Sequence, residues 1–419
     1  MEKSTPVFTS VELDFPGLET TDEIPAETEI DDPRRILRRA DAPARQGEVI
    51  AKLAISRFFV LGADDIDALA AAMDRAPALV AVGVVGEDGS PSGLVLRREL
   101  FDLLGKPYGR EFYKKKPVSA VMKTCRVFHD DESIFGVAET LKAEVRKLDD
   151  SYYLLVNAQG RFSGVFSTKN VLIYLSDTTA RDIALAQRLQ SAIVRDSFQF
   201  EDPRCTILCS SKMAKEVGGD FYVVKKLDAD RLIMGICDVS GKGIAASLIT
   251  AVLGGFFDTY TAAHSLQPFL RSLNRYIFET FRLEYFVTGI FIELDVGTGQ
   301  ALICDMGHSY VLVQEEKMLF RLGKKTANPP LGIVQDLTPA LSNYRFRHGG
   351  LALLFTDGVV EQTDRQGAEY SQGRLWGLLK RHVAQSPSEL KEILSTDFDA
   401  FRGTQPQSDD VTFMILKYA

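Results

Sequence analysis

The sequence predicts an α/β protein in two parts, a repeated strand–helix module followed by a layered α/β sandwich. Three observations carry that expectation. Residues 49–176 hold two similar units, each with a helical segment, an apolar strand, a glycine-bearing turn and a second strand. From Cys205 onward, apolar runs of strand length mix with pairs of segments at helical spacing, which points to stacked layers rather than a parallel sheet. Finally, aspartates recur at the ends of the apolar runs in that second part.

The bulk properties narrow the function. A chain of 419 residues fits two or three domains with ample core. Its 45% apolar content is ordinary for a globular protein. A net charge of -8 and a pI of 5.4 argue against nucleic acid as the main partner, because phosphate backbones require a basic face. No apolar run reaches transmembrane length and residues 1–10 lack a signal-peptide core, so a cytoplasmic protein is expected, with no membrane partner. The five cysteines lie mostly in apolar runs. Only Cys205 and Cys209 are close, and no histidine cluster completes a zinc pattern, so they read as buried thiols.

In chain order, residues 1–44 are acidic and turn-rich, with Pro6, Pro16 and Pro25 followed by Arg34, Arg35, Arg38 and Arg39; a disordered, self-neutralising tail is expected. The repeat occupies residues 45–176. Its first unit runs Ile66 to Met73, Leu79 to Val85, the turn Gly86-Glu87-Asp88-Gly89, then Gly93 to Leu96. Its second runs Ser133 to Leu141, Tyr152 to Val156, the turn Asn157-Ala158-Gln159-Gly160, then Phe162 to Phe166, and Pro117 to Met122 opens it. This pattern resembles a tandem CBS pair. The resemblance implies a regulatory domain with an adenine nucleotide between its halves, the alternative being a docking or dimerisation module without a ligand.

A connector helix is predicted over 177–197, with Thr179 as N-cap and Ile183, Ala186, Leu189 and Ile193 at helical spacing. The other face carries Arg181, Asp182, Gln187, Arg188 and Ser191. Its apolar stripe either packs on a second copy, giving a homodimer, or covers the next domain's core. In residues 198–419 helices are predicted at Ile244 to Tyr260, Leu266 to Phe281, Gly373 to Ala384 and Pro387 to Phe401. Strands are predicted at Thr288 to Leu294, Ala301 to Asp305, Tyr310 to Gln314, Leu351 to Phe355 and Val411 to Leu416.

The chemistry centres on Val217 to Ser247. Val223-Val224 and Leu232-Ile233-Met234 read as strands joined by the polar turn Lys225 to Arg231, a hairpin that brings Asp220 and Asp238 to one end of a sheet. Two carboxylates forced together either share a proton or hold a hard cation. Asp357 stands where the run Leu353 to Thr356 breaks at Gly358, and Asp409 and Asp410 directly precede the last strand. One aspartate at a strand end is a turn former. Four such positions together need cations to coexist, and an all-oxygen set suits Mg²⁺ or Mn²⁺.

Glu216 to Tyr222, Asp238 to Gly243, Phe355 to Gly358 with Glu361, and Asp409 to Thr412 occur in the order found in the SpoIIE/RsbU group of PPM-type phosphatases, which residues 180–419 resemble. Thr288-Gly289, Gly307-His308 and Leu331-Gly332-Ile333 fit the same pattern. The resemblance implies an α-β-β-α sandwich and a serine/threonine phosphatase holding two Mn²⁺ or Mg²⁺ ions. It makes Asp220, Asp238, Asp357 and Asp409 the catalytic carboxylates. Asp238 would bridge the ions with help from the Val239 carbonyl, Asp220 would serve one ion, and Asp357 and Asp409 the other. Asp410 stands as an outer partner or a third-ion ligand.

A metal-bridging water would then attack the phosphoryl group in line. The implied substrate is a phosphorylated partner-switching regulator of the anti-anti-sigma kind. Lys212, Lys215 and Lys242 read as solvated side chains, with contact to the substrate phosphate as the alternative, and His308 reads as a turn histidine rather than a general acid. The chain departs from the group at Val223, at Ala192-Ile193-Val194 and before Glu216, all near the junction of helix and domain. The rival reading is a signalling receptor or scaffold with a catalytically weak phosphatase fold.

Overall fold

The computed structural model describes residues 36–42, 47–146, 150–315, 318–321 and 328–419, so most of the expected acidic tail lies outside the described residues. The chain divides into two compact units, residues 1–177 and 178–419.

The first unit repeats one strand–helix order twice. Arg38–Arg39 form β1, which pairs with β2 (Phe58–Leu61); α1 (Ile66–Arg75) follows, then β3 (Ala81–Val85), β4 (Pro91–Leu96), α2 (Arg97–Leu104) and the short α3 (Gly109–Tyr113). The second copy has β5 (Val127–His129), α4 (Ile134–Thr140), α5 (Lys142–Arg146), β6 (Tyr152–Val156), β7 (Phe162–Ser167) and the start of α6 (Thr168–Ile193). In each copy the first two strands of the repeat are parallel and the last two antiparallel. Parallel neighbours need a crossover, and α1 and the α4–α5 segment supply it. Asp65 caps α1 by accepting from Ala68 N–H, and Ile66, Leu69, Ala70 and Met73 give that helix its buried face. Ala81, Val85 and Leu94 of the first copy pack with Leu154, Phe162 and Val165 of the second.

The connector helix does not start at Asp177. It begins at Thr168, directly after β7, and Thr179 lies inside it. Ser167 Oγ accepts from Asn170 N–H three residues on, the geometry of a cap, and the apolar Val171 is fully buried in that first turn.

The second unit is two stacked sheets between helix pairs. Its elements are β8 (Ser197–Asp202), β9 (Cys205–Lys212), β10 (Asp220–Lys226), β11 (Arg231–Val239), α7 (Ile244–Thr259) and α8 (Leu266–Phe281). Next come β12 (Val287–Asp295), β13 (Gln300–Met306), β14 (Val311–Glu315), β15 (Met318–Arg321), β16 (Ser342–Arg345) and β17 (Leu351–Phe355). The unit ends with α9 (Gly358–Glu361), α10 (Ser371–His382), α11 (Pro387–Arg402) and β18 (Val411–Tyr418). Five strands join in the order β10-β11-β12-β13-β16 and six in the order β15-β14-β17-β18-β9-β8.

Strand periodicity sorts the side chains into layers. On β17 and β18, Ala352, Leu354, Met414 and Leu416 face the other sheet within the main core, which also takes in Leu253 and Phe257 of α7 and Leu270 and Leu273 of α8. Their alternates Leu351, Leu353, Phe413 and Ile415 join Leu375, Leu378, Leu390 and Leu394 of α10 and α11 in a second core. Ser386 caps α11 in a reciprocal capping box with Glu389. The result is two sheets flanked by helices, as the alternation of strand and helix signals predicts.

Candidate active site

The β10–β11 hairpin forms with a shorter turn than expected, since Lys225, Lys226 and Arg231 lie in the strands, and its register sets Asp220 directly across from Asp238 at one end of the sheet. Asp238 in turn faces Thr288 of β12. The other acidic positions come from the second sheet. Asp357 follows β17 and Asp409 and Asp410 precede β18, and those strands are antiparallel neighbours with Phe355 opposite Phe413. The ends of two adjacent strands therefore bring Asp357 and Asp409 together, close enough that Asp409 adds to burial in raising Asp357.

Asp220 is buried, 2% exposed, and burial is the first cause of a carboxyl pushed well above the usual range, with Asp238 and Asp410 adding repulsion. The hydroxyls of Thr412 and Thr356 pull the other way. Thr356 Oγ1 donates to Asp220 Oδ2 at 2.8 Å and itself accepts from Thr412 N–H at 3.0 Å. Asp238 is half-buried; burial first, then Asp357, Asp409 and Asp410, push it up to about 7, opposed by Lys242. Asp357 is raised by burial and by Asp409.

One residue stands differently from the expectations, and the bonds of a second favour one of its two expected roles. Lys242 is not simply solvated: its ammonium pairs with Asp409 Oδ2 at 2.7 Å and donates to Ser408 O at 3.0 Å, while half its side chain remains exposed. Asp410 turns both oxygens to backbone amides, Oδ1 to Ala214 N–H at 2.8 Å and Oδ2 to Gly219 N–H at 2.7 Å. Lys212 and Lys215 remain outside this cluster; Lys212 reaches toward Asp399 instead, at 3.8 Å.

His308 is buried and pushed down to about 4 by that burial. Its Nε2 lies 2.8 Å from the Phe355 carbonyl and its Nδ1 3.3 Å from Thr288 Oγ1. A carbonyl only accepts, so Nε2 carries the proton and Nδ1 accepts from the threonine. The side chain is a neutral tie between the sheets, as a turn histidine should be. Glu361 sits on α9 at the exposed rim.

The backbone between the acids is shaped by missing side chains. A Cβ on Gly218 would overlap Asp410 Oδ2 and the Met213 sulfur, so this position takes nothing larger than glycine without rearrangement. A Cβ on Gly219 would stand 2.9 Å from the Val239 carbonyl oxygen and 3.5 Å from that of Gly241. Their absence leaves an open cradle of carbonyl oxygens beside Asp220 and Asp238.

Among the described residues, no three acidic, imidazole or thiol groups already converge at metal-holding distance. The reason is visible in the bonds: Asp220 is turned to Thr356, Asp409 to Lys242 and Asp410 to the amides. The donor set is nonetheless all oxygen, anionic and mutually repelling, the chemistry that suits a hard divalent cation.

Several contributors carried no sequence signal of their own. Ser211 Oγ and Thr412 Oγ1 are 2.8 Å apart, which extends the hydroxyl chain from Asp220 across β18 to β9. Gln362, 1% exposed, accepts from Ser408 N–H and donates to Pro406 O, so it holds the loop that delivers Asp409. Gln190 on α6 bonds the backbone of Gly218. Polar residues at these places look like ordinary surface in a linear sequence; the signal would have been their position next to an acidic strand end.

The fold of two helix-flanked sheets with acidic strand ends converging at one edge is similar to that of a solved PP2C domain, and phosphatases are among the sequence relatives of this chain. Residues 228–419 match the family described as Stage II sporulation protein E (SpoIIE). The chain is 27% identical over 248 residues to the phosphoserine phosphatase RsbP of Bacillus subtilis, covering 57% of this chain and 58% of RsbP. It is 25% identical over 240 residues to the phosphoserine phosphatase RsbU of the same organism, covering 56% of this chain and 70% of RsbU. The chain thus spans little more than half of RsbP's length. The SiaA-PP2C domain of Pseudomonas aeruginosa shares the fold with a TM-score of 0.50 and 20% identity, over 58% of this chain and 99% of that domain. Residues 228–419 of the second unit are thus similar to the SpoIIE family.

Proposed function

We propose that this chain is a divalent-metal-dependent protein phosphatase that removes phosphate from serine or threonine on a small partner-switching regulator of the anti-anti-sigma kind. The observation that supports it most is the register of Asp220 against Asp238, with Asp357 and Asp409 delivered beside them by the neighbouring sheet. Asp238 and Asp357 are both raised by burial and by neighbouring carboxylates, and a cation relieves that repulsion. Asp220, Asp238, Asp357 and Asp409 with the Val239 carbonyl would hold two Mn²⁺ or Mg²⁺ ions, Asp238 serving both. Such ions, when bound, supply Lewis acidity and a water ionised near neutral pH.

The chain's own residues would do the rest. Gly219 keeps the carbonyl cradle open. Asp410, with both oxygens on amides, fits a role in setting the Ala214–Gly219 loop better than one as a third-ion ligand. Lys242, already beside Asp409 and half-exposed, is placed to exchange that partner for a substrate phosphate oxygen. The test is release of phosphate from a phosphoserine protein and from a generic phosphomonoester with Mn²⁺. Asp238→Ala and Asp357→Ala should fold and lose activity. A parent protein inactive with every divalent metal tried would leave the receptor or scaffold reading in its place.

Regulation by the first unit belongs to the same reading. A cleft of about 550 Å³ is lined by Phe59 of its first repeat and by Asp130, Asn157, Arg161 and Phe162 of its second. Aromatic walls with an arginine suit a nucleotide, in keeping with the CBS-like order of elements. Calorimetric titration with adenine nucleotides, and turnover of the full chain with and without them, checks this. Leu185, Leu189 and Ile193 are exposed at four-residue intervals on α6, which supports a second copy as partner. No described helix is long and apolar enough to cross a membrane.

A further inference from the structure

Between β9 and β10 the chain runs from Met213 to Gly219 without regular secondary structure, yet it must deliver Asp220 to its place opposite Asp238. Loops of this kind need side chains to satisfy their peptide groups. One side is supplied by Asp410, which takes the amides of Ala214 and Gly219. The other side is supplied from outside the sheets. Gln190, near the end of α6 and 5% exposed, accepts from Gly218 N–H at 3.0 Å and donates to Gly218 O at 2.7 Å. Its amide thus pairs with the Gly218 backbone as a neighbouring strand would. The same Nε2 reaches Thr250 Oγ1 at 3.1 Å.

Thr250 lies on α7, the helix that begins just after the loop following Asp238, and it is fully buried. One glutamine therefore ties together the connector helix, the glycine pair before Asp220 and the helix that follows Asp238. The surroundings show that this is a specific placement. The residues flanking Gln190 on α6, Leu189 and Ser191, are exposed, and apart from Val194 just beyond the helix end, Gln190 is the buried residue of that stretch. A glutamine is taken out of water here only because every polar atom it brings finds a partner.

We infer that Gln190 is a positioning residue for the phosphatase reaction: its amide fixes the Gly218–Gly219 backbone and so the pose of Asp220 toward the cation shared with Asp238. The inference rests on the phosphatase reading of the site. Gln190 touches neither substrate nor cation; it acts through the peptide before Asp220. Since it is carried by α6, any displacement of that helix by one turn would withdraw the amide and leave Gly218 N–H and O without partners.

The test uses the full-length chain. Gln190→Leu keeps the volume and removes both bonds. Gln190→Glu keeps the shape, and its carboxyl can donate to Gly218 O only when protonated. The readouts are Mn²⁺ affinity by calorimetry, hydrogen exchange at the Gly218 and Gly219 amides, and melting temperature. For Gln190→Leu, about tenfold weaker Mn²⁺ binding and about tenfold faster exchange at those amides are expected, the loss of a buried pair of bonds. For Gln190→Glu, Mn²⁺ affinity relative to the parent should recover at pH 5.5 and be lost at pH 8, a pH response that a merely space-filling residue would not give. If both variants bind Mn²⁺ within about twofold of the parent at either pH, with parental exchange at Gly218 and Gly219, the inference is overturned. A parent that binds no Mn²⁺ would refute the phosphatase reading and with it the role toward the cation, while amide exchange would still decide whether Gln190 holds the loop.

Discussion

Thr356, at the end of a strand in the six-stranded sheet, donates its hydroxyl to Asp220 Oδ2 in the five-stranded sheet across 2.8 Å. It is a charge-assisted bond to a buried carboxylate, and its loss would push the Asp220 carboxyl further above its usual range. Thr356→Val, which keeps the shape, should weaken Mn²⁺ binding about 10- to 100-fold, since a hydrogen bond to a charged group contributes roughly 1.5–3 kcal/mol. Titration calorimetry at fixed pH checks this. Thr356→Ser should restore most of the affinity.

The raised carboxyls give the metal-free protein an unusual pH response. Asp238 sits near 7 when folded against 3.8 as its ordinary value, so between those limits the folded chain holds a proton that the unfolded chain lacks. Stability must then fall as pH rises through that window, and Asp220 and Asp357 act in the same direction. Melting temperature measured in chelator should rise on going from pH 7.5 to pH 5, and Asp238→Asn should flatten that rise. Saturating Mn²⁺ should reverse it, because protons and cations compete for the same oxygens. Below about pH 4 the trend must turn over as Asp202, held down to about 2 chiefly by its hydrogen bond from Arg204, begins to protonate.

Lys242 competes with any cation for Asp409. The pair is half-exposed, so it contributes about 1 kcal/mol or less. Lys242→Met should therefore tighten Mn²⁺ binding a few-fold while raising KM for a phosphoprotein about tenfold through the lost phosphate contact. Unchanged KM would show that the ammonium never leaves Asp409 for substrate.

His308 is neutral and fully engaged, with Nε2 on Phe355 O and Nδ1 on Thr288. His308→Gln should lower the melting temperature by the equivalent of about 1–3 kcal/mol for a buried polar group left imperfectly paired. The pH–rate profile between pH 5.5 and 8.5 should keep its shape. Loss of the alkaline limb would instead mark His308 as the proton donor to the leaving hydroxyl.

Much of the second unit was legible because its signals are local. The apolar run Leu351 to Phe355 and the period of Leu266 to Phe281 match β17 and α8 end to end. That Asp220 and Asp238 share one end of a sheet followed from two apolar runs joined by one polar turn; their direct pairing is visible only in the fold. Other features depend on partners distant in sequence and leave no periodic trace. The stripe of Ile183, Ala186, Leu189 and Ile193 suggests a face turned to a core, yet Leu189 and Ile193 are exposed and it is the polar Gln190 that is buried. Thr179 has the chemistry of an N-cap, but the helix already begins at Thr168, directly after β7. For Asp410 the sequence leaves an outer partner and a third-ion ligand open; only the fold shows two backbone amides occupying its oxygens. Lys242 reads as a solvated lysine until β18 brings Asp409 beside it.

The acidic residues are divided between two separate sheets, Asp220 and Asp238 at the ends of strands in one and Asp357 and Asp409 at the ends of strands in the other. A cation held by both sets would act as a rivet through the laminate. Shear of one sheet over the other would then be coupled directly to ion occupancy, without any hinge or moving lid. Chelation should loosen amides at the facing ends of β10 and β18 together while leaving the far edge at β16 untouched, so that occupancy could be read as mechanical stiffness along one seam of the domain.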